Sequence, residues 1–220
     1  MCGKFTQMMA WSTLVELSDL IGSVESGPTE TATPMRVASI IRLDKNGRRI
    51  VSRQRWGFVP QGARDPSIGT QFIHARAETI DQRPTYRDAF MHRRGLLVVR
   101  TFNEGKEITP TKTEQYVVSP RDGKPIAIAV IWERWGEHHA GSLESFAMVT
   151  TAANALIGTI TDRMPAVIAP EHWSKWLGEE PASIDELKAI LQPFEGDWDM
   201  EPATRARPPT PKSPHQQSLF

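Results

Sequence analysis

The sequence predicts an α+β fold in a single domain, with an antiparallel or barrel-like β core, peripheral helices and a disordered C-terminal tail. Three observations predict it. Strand-like runs rich in apolar and β-branched residues recur between residues 35 and 168, several of them joined by tight-turn sequences. Helical periodicity is confined to short segments near the two ends and one near Pro84. Past about residue 200 the chain carries five prolines in twenty residues and few apolar groups, too little burial to offset the entropy of ordering. The expected division is therefore a domain over residues 1–200 and a tail over 201–220.

In chain order, residues 12–22 read as a helix. Ser12 can cap it, Leu14, Leu17, Leu20 and Ile21 share one face, and Gly22 stops it. Residues 23–34 are rich in Gly, Pro, Thr, Ser and Glu and read as loop. Two strands come next, at 35–43 and 48–58. Their link, Asp44-Lys45-Asn46-Gly47, contains the Asn-Gly step of a hairpin whose central residues take positive φ. Residues 59–70 are a Pro/Gly loop. A short helix starts near Pro84, where a proline suits the first turn, and carries Tyr86, Phe90 and Met91. Further strands are expected at 95–102, 114–119, 125–133, 145–151 and 164–168, with Arg121-Asp122-Gly123-Lys124 as another hairpin turn. Two helices close the domain. One comes after Pro170, with Trp173, Trp176 and Leu177 on one face and Gly178 at its end. The other begins at Ser183, which forms a capping box with Glu186.

The chain has 220 residues, with 26 Lys+Arg against 26 Asp+Glu. A zero net charge excludes an indiscriminate polycation. Its partition is uneven, however. Residues 36–106 hold fifteen Lys/Arg, thirteen of them Arg, against six Asp/Glu, a net of +9. Residues 171–201 hold nine acids against Lys175 and Lys188, a net of −7. No apolar run approaches the ~18 residues of a membrane span, and no signal-peptide core comes after Met1, so a cytoplasmic protein without a membrane partner is expected. A monomer is the default. With one cysteine and no HxxxH or HxH pair, neither a metal nor another cofactor is expected.

That cysteine, Cys2, lies between Met1 and Gly3. Initiator Met is ordinarily removed before a small residue. Cys2 would then carry an α-amine and a thiol on adjacent carbons, with reference pKa values near 8 and 8.5. Such a 1,2-aminothiol can act as a nucleophile with its own amine as base. It can also condense with an aldehyde, closing a thiazolidine ring. The bland alternative is a buried, inert thiol.

Six blocks decide between them. Met1-Cys2-Gly3-Lys4-Phe5, Trp56-Gly57-Phe58-Val59-Pro60, His74-Ala75-Arg76-Ala77-Glu78-Thr79, Phe102-Asn103-Glu104, Thr150-Thr151-Ala152-Ala153-Asn154 and Asp162-Arg163-Met164-Pro165 occur in this order. Over roughly residues 2–178 the chain resembles the SRAP family, the SOS-response-associated peptidases or abasic-site processing proteins. The resemblance implies a compact mixed fold with a cationic groove that binds single-stranded DNA, or its junction with duplex. It also implies capture of the ring-opened abasic aldehyde by the N-terminal Cys as a thiazolidine DNA–protein crosslink. The peptidase label then refers to self-removal of the residue before Cys2, and a lyase activity can accompany it.

Matched residue by residue, Cys2 is the crosslinking nucleophile and Glu104 the carboxylate that shuttles protons. Arg76, between two alanines, can reach a phosphate, or else pair with Glu78 or Glu104. Lys4 stands where the family usually has Arg, keeping the charge but losing the fork. Trp56 either stacks on a base or belongs to the core, and Arg163 either contacts phosphate or braces the site. Two departures stand out: His74 replaces the family's usual Asn, and Thr161 its usual His. A hydroxyl cannot do acid–base work near pH 7, so His74 is the candidate for the missing imidazole. Gly105 replaces the Trp that usually comes after the glutamate. Two other readings remain: a single-stranded-DNA-binding relative that has lost part of its chemistry, and an N-terminal-cysteine glutamine amidotransferase. The latter lacks the expected clamp, because the only Asn-Gly is the 46–47 turn and no His-Thr-Arg occurs.

Overall fold

The computed structural model describes residues 2–7, 30–136 and 141–203. The helix expected at 12–22 lies outside them. Among the described residues thirteen strands form two sheets. Five of them close on themselves: β3 (Val37–Leu43), β4 (Arg49–Trp56), β6 (Arg94–Val99), β9 (Ile126–Trp135) and β10 (Leu143–Ala152). Pairing runs antiparallel from β4 to β3, β6, β9 and β10, and a short parallel pairing of β10 with β4 completes the ring. The expected barrel-like core is thus a five-stranded barrel. Against it lies an antiparallel sheet ordered β13 (Trp198–Pro202), β8 (Lys112–Pro120), β7 (Thr101–Thr109), β1 (Lys4–Gln7), β2 (Glu30–Ala32).

The barrel strands are apolar on both faces because both are covered. On β9, Ala127, Ala129 and Ile131 join a core shared with the helices. Their alternates Ile126, Ile128 and Val130 join a second core shared with the other sheet. Helix α1 (Pro84–His92) starts at its proline and packs Phe90 against Trp176 of α2 (Trp173–Leu177). Gly178 ends α2 in a left-handed conformation, φ 98°. Helix α3 (Ile184–Ile190) has the expected capping box, with the Ser183 hydroxyl accepting from the Glu186 amide and the Glu186 carboxylate accepting from the Ser183 amide.

Several expectations need correction. The 35–58 hairpin forms, but Asn46 keeps a negative φ and only Gly47 turns left-handed, φ 74°. The loop is closed instead by Asp44, whose carboxylate accepts from the Asn46 and Arg48 amides. The turn at Arg121–Lys124 is tight, with Gly123 at φ 67°, yet it is no hairpin, because β8 and β9 belong to different sheets. The strand expected at 95–102 is two strands that break at Arg100, and β7 continues through the polar stretch to Thr109. The run at 164–168 likewise divides into β11 (Arg163–Pro165) and β12 (Val167–Ile168). β13 pairs with β8 up to Pro202, past the expected boundary at 200, and the rest of the expected tail lies outside the described residues.

One close approach fixes the entry to the strand that carries His74 and Arg76. Gly69 lies in the 3-10 segment Pro66–Gln71 that leads to this strand, β5 (His74–Arg76). A Cβ on Gly69 would sit 2.5 Å from the Gly57 carbonyl oxygen. Gly69→Ala should therefore lower the urea midpoint by the equivalent of about 1–3 kcal/mol; an unchanged midpoint would show that the 66–71 segment moves away freely.

Candidate active site

The site forms where β1 meets β7. Lys4 lies opposite Asn103 and Phe5 opposite Phe102, which places Cys2, just before the strand, beside Asn103 and Glu104. Cys2 is 1% exposed. Its thiol donates to the Lys4 carbonyl at 3.4 Å and receives the Asn103 amide. Burial, and then the negative charge of Glu104, push the thiol pKa up to about 12. In the intact chain the sulfur is therefore a protonated thiol.

Glu104 is fully buried. Burial raises its pKa to about 7, with Asp162 adding to the rise and the hydrogen-bonding Cys2 amide opposing it. A carboxyl that exchanges its proton near neutrality, facing the nitrogen of Cys2, has the properties of a general acid–base. His74, half-buried, is the third ionisable group of the site. Burial lowers its pKa to about 4, the Cys2 carbonyl working in the opposite direction, so the imidazole is neutral. Neither ring nitrogen has a hydrogen-bond partner of normal geometry among the described residues.

β10 gathers the remaining groups. β5 runs parallel to it, with Thr150 opposite Arg76. β11 runs antiparallel on the same strand, with Thr150 opposite Pro165. Arg163 turns inward, donating to both oxygens of Glu78 at 2.6 and 2.9 Å and to the Thr150 carbonyl at 2.7 Å. It braces the site and presents no fork to a phosphate. Arg163 takes Glu78, while the Arg76 side chain, whose charge also helps hold the Glu78 carboxyl down, makes no hydrogen bond or salt bridge among the described residues and stays exposed. With His74 and Arg83 it lines a cleft of about 210 Å³. Lys4 is exposed beside Cys2.

Trp56 corrects its stacking role. It is 0% exposed, donates to the Ile73 carbonyl at 2.9 Å and offers no face to a base. Its ring packs 5.0 Å from Phe5 and 5.9 Å from His74, so it supports two walls of the site. Thr161 is half-buried, and its amide donates to Ile157 in the turn before β11. Sequence reasoning assigned no role to Asn103, Asp162 or Arg83. The first two sit inside quoted blocks, whereas Arg83 carries no local signal beyond its charge. Among the described residues no three His, Cys, Asp or Glu side chains cluster as a metal would need, and no helix is long and apolar enough to cross a membrane.

A barrel backed by a second sheet, with Cys2 held beside the buried Glu104, frames the candidate site. The family model described as SOS response associated peptidase (SRAP) matches residues 1–206, and the chain belongs to that family. It is similar to the abasic site processing protein YoaM of Bacillus subtilis (strain 168), with 30% identity over 205 residues, 91% of this chain and 89% of the relative. It is also similar to YoqW of the same organism, a protein of the same description, at 29% over 91% and 90% of the two chains. A solved structure of a Bordetella bronchiseptica protein superposes with a TM-score of 0.78 over 93% of this chain and all of its own, at 19% identity, and so shares the fold.

Glu104 has a folded-state pKa above its ordinary value of 4.5. The folded chain therefore holds a proton that the unfolded chain releases between about pH 4.5 and 7. The stability linked to this carboxyl is present below that window and lost as pH rises through 7, by on the order of 3 kcal/mol. Glu104→Gln should accordingly gain in urea midpoint over the native chain on going from pH 4.5 to pH 8. A difference that does not vary with pH would show that the carboxyl titrates as an exposed one.

Proposed function

We propose that this chain captures abasic sites in single-stranded DNA as a thiazolidine DNA–protein crosslink through Cys2, after removal of Met1. One observation carries the reading: the Cys2 backbone nitrogen faces a buried carboxyl that titrates near pH 7. Once the preceding residue is gone, that nitrogen is the α-amine. It adds to the aldehyde carbon of the ring-opened abasic sugar. Protonated Glu104 gives its proton to the carbonyl oxygen, takes one from the nitrogen and passes that to the same oxygen, which leaves as water and leaves a cationic iminium. The sulfur then adds to the iminium carbon, the thiol proton returns to the Glu104 carboxylate, and the ring closes. Aldehyde and aminothiol give thiazolidine and one water, with no oxidant or reductant.

In this reading Lys4 and Arg76 hold backbone phosphates as exposed cations flanking the site. Arg163 positions β5 and β11. His74 stands beside Cys2 as a neutral hydrogen-bonding group, and Thr161 contributes no titrating proton. Self-removal of Met1 would use the same thiol and carboxyl. The reaction takes place on cytoplasmic DNA and asks nothing of a metal or cofactor.

Incubating the mature protein with an abasic single-stranded oligonucleotide should give a complex that survives a denaturing gel. Cys2→Ala should abolish it, and Glu104→Gln should slow it ten-fold or more and remove the inflection near pH 7. Salt-sensitive binding with no denaturation-resistant complex would favour a binding-only protein; a complex that survives Cys2→Ala would refute the mechanism. Arg76→Ala should weaken single-strand binding and reduce the slope of log K against log salt by about 0.7, the value for one lost phosphate contact. His74→Ala tests the imidazole, because unchanged rates of crosslinking and reversal would remove it from the chemistry.

A further inference from the structure

Residues 74–92 run from the active site to the end of α1. By sequence they carry Arg76, Arg83 and Arg87 against Glu78, Asp81 and Asp88, an even balance. The fold undoes that balance. Each acid takes a cation from outside the segment: Glu78 binds Arg163, Asp81 binds Lys188 and Asp88 binds Arg93. The three arginines of the segment are all exposed, and their side chains make no hydrogen bond or salt bridge among the described residues. With the neighbouring carboxylates already engaged, their guanidinium donors face outward, available to an anion in solution.

These arginines form a row that begins at the site. Arg76 and Arg83 line the cleft of about 210 Å³ whose wall includes His74. Arg83 immediately precedes α1, and Arg87 stands one turn further on, its amide bonded to the Arg83 carbonyl. Four residues at about 1.5 Å of rise each put the two about 6 Å apart along the helix, on one face. Arg87 borders a second hollow of about 400 Å³ on the outer side of α1, with Gln82, Pro84 and Asp88. The row therefore leads from the wall of the active site out along the first turns of the helix.

A line of unpaired cations starting at a reactive centre matches a chain of regularly repeated negative charge that also occupies that centre. The backbone of a single nucleic-acid strand is such a chain, and cationic grooves that track it need no contact with the bases. We propose that α1 extends the DNA-binding surface: the single strand on one side of the abasic site leaves past His74, its phosphates held in turn by Arg76, Arg83 and Arg87. This rests on the reading that a single strand lies at Cys2, and it adds a direction of exit and two residues, Arg83 and Arg87, that hold the flanking strand.

The test measures binding of the full chain to strands bearing a tetrahydrofuran abasic analogue, which has no aldehyde and forms no crosslink. One strand carries nucleotides on both sides of the analogue, a second only on its 5′ side and a third only on its 3′ side. Arg83→Ala and Arg87→Ala should each weaken binding of the two-sided strand about three-fold or more and lower its slope of log K against log salt by about 0.7. The same loss should appear with one of the one-sided strands and be absent with the other. Arg83→Lys and Arg87→Lys, which keep the charge, should restore the slope. Equal losses on both one-sided strands would reveal a diffuse field and overturn the proposal, as would an unchanged slope or a native chain that binds none of the strands. Capture at Cys2 is tested separately with an aldehyde-bearing strand. No denaturation-resistant complex there, with the one-sided loss still present on the analogue, would refute capture and leave the α1 row standing.

Discussion

The register of β1 against β7 is the constraint on which the site depends. Phe5 and Phe102 face each other across that pair and are both fully buried, Phe5 on Trp56 and Phe102 on Trp198. A slip of one residue would turn Phe5 toward solvent and carry Lys4 into the core, a loss on the order of 2 kcal/mol or more for the aromatic ring alone. With that register fixed, Cys2 is delivered beside Asn103 and Glu104. The aromatic pairs are therefore what makes a chemical group at the very start of the chain as well placed as one in the middle of a sheet.

Electrostatics explains how a chain with no net charge can present a cationic site. Part of the basic segment is consumed by the fold itself. Arg42 binds Glu144, Arg93 binds Glu133, Arg94 closes the end of α1 through the Phe90 and Met91 carbonyls, and Arg55 holds the Pro66 carbonyl. The acidic segment supplies partners too, with Glu179 on Arg49, while its Lys188 reaches Asp81. The net of +9 is thus not all surface charge. Beside the site it leaves Arg76 and Arg83 exposed on the cleft, with Glu78 committed to Arg163, and Lys4 is exposed next to Cys2.

Much of this was legible in the sequence where a local rule applies. The capping box at Ser183, the proline start of α1 and the glycine end of α2 each depend on a few neighbouring residues, and each formed as expected. Failures occurred where tertiary context decides. β7 runs through Asn103-Glu104-Gly105-Lys106-Glu107, a stretch without apolar alternation, because β8 pairs with it throughout and β1 adds a second partner up to Asn103. The Arg121–Lys124 turn looks like a hairpin locally, but which sheet receives the next strand is a global choice. In the site, the motif blocks named Cys2, Glu104 and Arg76. The inward turn of Arg163 and the burial of Trp56 depend on Glu78 and Ile73, residues whose spatial proximity no spacing rule supplies.

The high pKa of Cys2 bears on the order of steps in the proposed reaction. A thiol held up to about 12 is a poor opening nucleophile. In the intact chain the adjacent nitrogen is a peptide amide and equally unreactive. Releasing Met1 turns that nitrogen from an amide into an amine with a reference pKa near 8, beside a carboxyl whose pKa burial raises. Amine attack therefore comes first. In the proposed reaction the cationic iminium it generates is the electrophile that draws in the buried, protonated thiol. The same burial that silences the sulfur toward bulk solvent keeps it intact for that single partner, so the order amine, then sulfur, comes from placement and not from any intrinsic preference of cysteine.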